Sequence, residues 1–299
     1  MKNPFVRQSE RTLFQRFFLD PVVALVTVTF FGMLKILPYR AAVAVGGFLG
    51  GCLGYIAKRK NKYALYNLSI AFPDKTLEEK KRIIHHMWVH FGRMFAETIH
   101  IKKVRYCNMC PAYFEQLADD DRGGFCVSAH MGNWELISDV LQDFGINVNL
   151  VYRSANNPWL EKLLFKKRRG TLIPKGREGA RQMIELLKHK EHISLLCDQK
   201  LNEGIEAPFF GHPARNPSAI ISLALKMQLP ILVGVFVRQP DGSYNVYGDE
   251  PFVPESTGDL EKDTYNGMVK LNTLLEKWIR KYPEQWLWIH RRFDKKEYR

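Results

Sequence analysis

The segment His130-Met-Gly-Asn-Trp-Glu135 puts an imidazole and a carboxylate five positions apart. A carboxylate that holds one ring nitrogen of a histidine leaves the other nitrogen available as a base near neutral pH. On a continuous helix, five positions would turn the two side chains about 140° apart, a poor geometry for contact. If His130 instead ends a strand and Asn133 caps the next helix, the intervening turn can fold the imidazole towards Glu135. The amides of Gly132 to Trp134 at that helix start are then placed to stabilise an oxyanion. Ser128 lies close by as a nucleophile, but it falls inside the predicted strand and no G-x-S-x-G elbow surrounds it. A base without a protein nucleophile implies direct transfer between two bound substrates. His130 and Glu135 are the candidate catalytic pair.

The surrounding pattern sets where these residues sit. Short apolar runs at 125–129, 148–152, 193–197 and 231–237 read as buried strands, with helical patterns near 133–142, 157–169, 177–189 and 217–227 between them. Such alternation predicts an α/β domain, a central and mostly parallel sheet flanked by helices. Ligands of such sheets bind at the carboxyl ends of strands, which singles out the residues just after each run. Arg153 follows the second run and can take a phosphate or carboxylate in bidentate fashion, with a surface salt bridge as the competing reading. Asp198 and Gln199 follow the third run, and a loop leads on to Pro208-Phe209-Phe210-Gly211.

Other features are less committal. Thr76-Leu-Glu-Glu79 is a capping box that opens a long helix towards Ile101. On it, His86 and His90 stand four apart and could share a metal, but no third ligand is at hand, so solvated or core-edge histidines are the expectation. Cys107 and Cys110 form a C-x-x-C without the further ligands of a zinc site, and five cysteines without framework spacing read as reduced thiols. Lys162, Lys166, Lys167, Arg168 and Arg169 make a cationic amphipathic helix suited to a lipid surface or an acidic protein, or else a solvated face. The aromatic, Arg-rich end Gln285-Trp-Leu-Trp288-Ile-His290-Arg291-Arg292-Phe293 reads as an interfacial belt, a substrate wall, or packing of Trp286 and Trp288 against the sheet.

Over 299 residues, Lys plus Arg number 44 against 31 Asp plus Glu, a net +13 that favours anionic partners. No nucleic-acid module pattern accompanies the charge. At the N-terminal end two uncharged runs, Pro21–Leu34 and Ala41–Ala57, are flanked by Lys2, Arg7, Arg11 and Arg16 on one side and by Lys58, Arg59, Lys60 and Lys62 on the other. Basic residues at both ends suit a shallow hairpin or interfacial element; a buried helix pair is the alternative. The chain is therefore divided into a membrane-anchoring helical region, 1–57, and a catalytic domain, 58–299.

As an ordered set, these segments resemble the bacterial lipid A biosynthesis acyltransferases, the late lauroyl and myristoyl family. The pattern runs from the hydrophobic front end through Asn67-Leu68, Ala71-Phe72-Pro73, His130-Met-Gly-Asn-Trp-Glu135, Tyr152-Arg153, Asp198-Gln199, Pro208-Phe209-Phe210-Gly211 and Pro230 to Pro283–Phe293. It covers nearly the whole chain. The resemblance implies a glycerolipid-acyltransferase-like fold and acyl transfer from acyl carrier protein to a hydroxyl of an anionic, sugar-bearing lipid A precursor, without a cofactor. His130 then corresponds to the base, Glu135 to its acidic partner, Arg153 to an acceptor-holding arginine and Asp198 to a further motif acid. Substrate contacts are assigned to Arg153, Asp198, Gln199, Asn133, Phe210, Gly211 and Arg238, and no metal is expected. The implied location is the bacterial inner membrane, catalytic domain on the cytoplasmic side. Where relatives commonly carry Thr, this chain has Asn216. Other acceptors (a lysophospholipid, an amino-acid lipid, a glycolipid) fit the same catalytic pair, and a basic protein that only binds membranes is the alternative of another class.

Overall fold

The four apolar runs become the middle of a sheet. The computed structural model describes residues 20–152 and 170–298. Strands β1 (Tyr106–Asn108), β2 (Gly124–Ser128), β3 (Asn149–Tyr152), β4 (Thr171–Pro174), β5 (His192–Leu196), β8 (Ile231–Arg238) and β9 (Tyr244–Gly248) form seven strands in the order β1-β9-β8-β2-β5-β3-β4. Every pairing is parallel except β8 with β9. A separate antiparallel hairpin, β6 (Ile205–Phe209) and β7 (His212–Asn216), turns through Phe210 and Gly211, both at positive φ.

Side chains of the central strands alternate between two cores, as the period of two requires. Phe125 and Val127 of β2, with Ile231, Val233, Val235 and Val237 of β8, face the larger core, while Cys126, Leu232 and Phe236 face the smaller one. The larger core is closed by α3 (Lys58–Ala71), α4 (Leu77–Ile99), α7 (Arg177–Lys188), α8 (Ala219–Met227) and α9 (Leu260–Lys281). The smaller is closed by α5 (Pro111–Ala118) and α6 (Ile137–Asp143). Both faces of a mostly parallel sheet are thus covered, which explains why its central strands read as largely apolar runs.

The capping box forms as expected: Thr76 Oγ1 accepts the Glu79 N–H at 3.2 Å and the Glu79 carboxylate accepts the Thr76 N–H at 2.8 Å. The helix expected near 133–142 starts as a single 3-10 turn, Trp134–Leu136, before α6. The helix expected at 157–169, with its basic cluster, lies outside the described residues, as does Arg153.

The two N-terminal runs form α1 (Asp20–Ile36) and α2 (Tyr39–Ile56). By length and composition, α2 is the described helix long and apolar enough to cross a membrane. One face of α2 lies directly on α4. A Cβ on Gly50 would come within 2.3 Å of the Trp88 carbonyl oxygen, and one on Gly92 within 2.1 Å of the Gly46 carbonyl oxygen, so the backbones touch only because these residues lack side chains. The opposite side of the pair is apolar and exposed, with Phe48 71% and Tyr55 86% accessible.

Candidate active site

Register places the two central groups side by side. Ser128 at the end of β2 pairs with Leu196 at the end of β5, so two residues further along, His130 and Asp198 leave adjacent carboxyl ends together. His130 Nδ1 lies 2.7 Å from Asp198 Oδ1, and the His130 amide donates to Asp198 Oδ2 at 3.0 Å. The Trp286 indole N–H donates to the same Oδ2 at 2.7 Å. Burial by itself would push the Asp198 carboxyl up; the charge of His130 and these three donors outweigh it and hold the group well below the usual carboxylate range. An ionised Asp198 accepts the hydrogen bond of Nδ1–H, which leaves the lone pair on Nε2.

The Nε2 side is equally defined. The Gln199 amide nitrogen lies 3.0 Å from His130 Nε2 and 3.0 Å from His290 Nε2, so its two N–H groups reach both imidazoles. Burial, then the charge of His130, push His290 down to about 4 and keep it neutral as an acceptor. The Trp134 ring meets the His130 ring edge-on at 5.1 Å.

The strand-end loop is clamped from the far end of the chain. Gly132 sits at φ +60°, and a Cβ there would lie 1.4 Å from the Phe236 carbonyl oxygen. Its N–H is taken by the Gln285 carbonyl at 3.0 Å, while the Leu287 N–H donates to the His130 carbonyl at 3.0 Å. Gln285 also clasps β8, accepting the Arg238 N–H at 2.8 Å and donating to the Arg238 carbonyl at 3.0 Å. Beneath this lies Glu97, fully buried, which accepts from Arg238 Nε at 3.0 Å, the Tyr244 hydroxyl at 2.5 Å and Asn133 Nδ2 at 3.4 Å.

Several expectations need correction. The ring nitrogen assigned to Glu135 is held by Asp198, because strand register, not the five-residue spacing, decides which carboxylate reaches His130. Glu135 lines a cavity of about 930 Å³ between α1, α4 and α6. The Gly132 amide is not available to an oxyanion, since Gln285 already occupies it. Arg238 forms a buried ion pair with Glu97. Asn133 is buried and bonded to Glu97. Phe210 and Gly211 form the hairpin turn: the Phe210 N–H donates to Glu276 at 2.7 Å, and its ring packs 6.5 Å from that of Trp286, behind Asp198. Gln199 does stand at the site, against His130.

Other groups at the site lie outside the set expected from the sequence. His290, Trp286 and Gln285 belong to the aromatic C-terminal segment, whose tryptophans turn out to be packing residues, 2% and 0% exposed. His86 pairs with Glu284 at 2.8 Å on the surface, whereas His90 is buried and lines a small cavity with His130. Asn216, the departure noted above, is fully buried. It donates to the carbonyls of Ala207 and Ala214 at 3.0 and 2.7 Å and accepts from Asn272 at 3.1 Å and from Arg292. Cys110 Sγ accepts the Gly248 N–H, and all five cysteines are free thiols.

The sequence model of the bacterial lipid A biosynthesis acyltransferases matches residues 12–295. The chain belongs to this family. The acyltransferase is 27% identical over 299 residues to the lipid A biosynthesis palmitoleoyltransferase of Escherichia coli K12, covering 94% of each chain. It is 25% identical over 270 residues to the lauroyltransferase of the same organism, covering 86% of each. A lipid A biosynthesis acyltransferase of Haemophilus influenzae is 26% identical over 299 residues, covering 94% of this acyltransferase and 93% of that protein. Family membership makes the chain a transferase and sets aside the reading as a protein that only binds membranes.

Proposed function

We propose that this acyltransferase moves a fatty acyl chain from an acyl carrier protein thioester to a hydroxyl of a lipid A precursor, with His130 as general base and no covalent enzyme intermediate. The observation that carries the reading is the Asp198–His130 pair, whose geometry leaves a lone pair on His130 Nε2 at the carboxyl edge of the sheet. An acceptor hydroxyl replaces the Gln199 amide at Nε2 and gives its proton to the imidazole as its oxygen attacks the thioester carbonyl. The C–S bond then breaks, the ester C–O bond remains, and the proton on His130 passes to the departing thiolate. Asp198 stabilises the imidazolium formed between these steps, the role of the carboxylate in a Ser-His-Asp triad without the serine.

Charge supports the proposed partners. Lys60 and Lys175 lie close enough to His290 to lower it, and the Arg291 guanidinium stacks 5.6 Å from the Tyr63 ring centre. An acidic carrier protein and a phosphate-bearing lipid both suit such an edge. The exposed apolar faces of α1 and α2, bordered by Lys35, Arg40, Lys58, Arg59 and Lys60, support attachment to the bacterial inner membrane with the catalytic domain on the cytoplasmic side.

The test supplies purified enzyme with acylated carrier protein and, in parallel, a tetra-acylated lipid A precursor, a lysophospholipid and an amino-acid lipid. A mass gain of one acyl chain on the lipid A precursor supports the reading. Gain only on another acceptor keeps the chemistry and overturns the acceptor.

A further inference from the structure

The cavity of about 930 Å³ adjoins the small cavity that His130 bounds. Phe91, Met94 and Trp134 line both it and the small cavity bounded by His130. From Phe91 the large cavity follows α4 as far as Ile99, eight residues and so about 12 Å of helix. Its far wall is α1, through Val28, Phe31 and Gly32. The volume falls in the range of pockets that bury most of a small ligand.

We propose that this cavity holds the acyl chain of the donor thioester, carbonyl end at Trp134 and methyl end against α1, and that Gly32 sets how long a chain fits. The inference rests on the acyltransferase reading above and adds which walls contact which substrate. Charge selects the donor over the acceptor. Among the described residues of the lining, Glu135, Asp139 and Asp143 outnumber Lys35 and Lys102, an environment that repels a phosphorylated headgroup and is indifferent to a neutral thioester. Aromatic walls at Phe91, Phe31 and Phe95, the last two in edge contact at 5.2 Å, give an alkyl chain its apolar surface. Gly32 lines the cavity with open space before it: a Cβ built there has nothing within 4 Å. A side chain at 32 therefore projects without displacing a neighbour, and it raises rather than lowers helix propensity.

The experiment sets Gly32→Phe, which fills the cavity, against Phe95→Ala, which enlarges it. Each is assayed with a series of carrier-protein thioesters from decanoyl to hexadecanoyl. The expected result for Gly32→Phe is a kcat/KM ratio of long to short donors reduced on the order of tenfold or more. For Phe95→Ala the ratio moves the opposite way. A second arm fixes the donor and varies the hydroxyacyl chain of the acceptor; there both variants should match wild type. Unchanged donor profiles in both variants overturn the proposal, and a shift confined to the acceptor arm assigns the cavity to the acceptor and overturns it as well. Cross-linking with a fatty acid carrying a diazirine at its methyl end separates this from failure of the transferase reading. Wild type should be labelled within Phe91–Thr98 and on α1, and Gly32→Phe should lose the label, whether or not transfer is observed. Labelling that spares Phe91–Thr98 in wild type overturns the cavity assignment.

Discussion

His130 and Asp198, 68 residues apart in sequence, meet through two contacts, Nδ1 to Oδ1 at 2.7 Å and backbone N–H to Oδ2 at 3.0 Å. The carboxylate therefore fixes both the ring and the loop that carries it. A side chain that only neutralised charge would need one of these contacts; Asp198 makes both, and accepts a third bond from Trp286.

Asp198→Asn tests that arrangement against the alternative at Glu135. An amide at 198 can no longer stabilise the imidazolium or enforce the Nδ1–H tautomer, a defect that in a serine-protease triad costs about 10⁴ in kcat. The expected outcome is a fall in kcat/KM on the order of 10³–10⁴ with the acid limb of its pH profile, the side on which a general base is protonated, displaced. Glu135→Gln should leave that limb where it is in wild type. A displaced limb in Glu135→Gln and an unmoved one in Asp198→Asn would assign the pairing the other way.

Gly132→Ala addresses the loop. The methyl group has no space beside the Phe236 carbonyl and the residue holds φ +60°, so either β8 moves or the loop does. We expect a destabilisation of about 3 kcal/mol or more, seen as a lower unfolding temperature, together with loss of activity. Wild-type stability in this variant would contradict the clamped loop.

Much of this was legible in the residues, and the rest failed for identifiable physical reasons. The short, mostly apolar runs marked β2, β3, β5 and β8 because both faces of those strands are covered. His130 was legible because it follows such a run. Its partner was not, since periodicity cannot show that β2 and β5 are neighbours; the Ser128–Leu196 register decides it. The edge strands β1 and β4, of 3 and 4 residues, are too short for a periodic signal. The pairing of Arg238 with Glu97 was not legible, because the two lie 141 residues apart in sequence.

Asn216→Thr should harm this chain. Thr cannot supply the two N–H donors that Asn216 gives to Ala207 and Ala214 while accepting from Asn272 and Arg292. Leaving such buried groups unpaired costs about 1–3 kcal/mol, measurable as a drop in unfolding temperature. An unchanged or raised temperature would show that the network tolerates the exchange.

The buried imidazoles give a pH signature. Burial pushes His90 and His290 down from 6.5 to about 4, so between those values the unfolded chain binds protons that the folded protein refuses. The unfolded state then carries more protons, and stability rises with pH across that window and falls as pH drops from 6.5 towards 4. His90→Asn should flatten the dependence of unfolding temperature on pH in this range. An equal slope in wild type and variant would remove His90 from the account.

The most direct test measures transfer by wild type and His130→Ala, each shown to be folded, with acylated carrier protein and a tetra-acylated lipid A precursor, the lipid product followed by mass spectrometry. The account predicts a gain of one acyl chain with wild type and a rate lower by about 10²–10⁴ with His130→Ala, the usual contribution of a general base. Equal rates for the two proteins would contradict it.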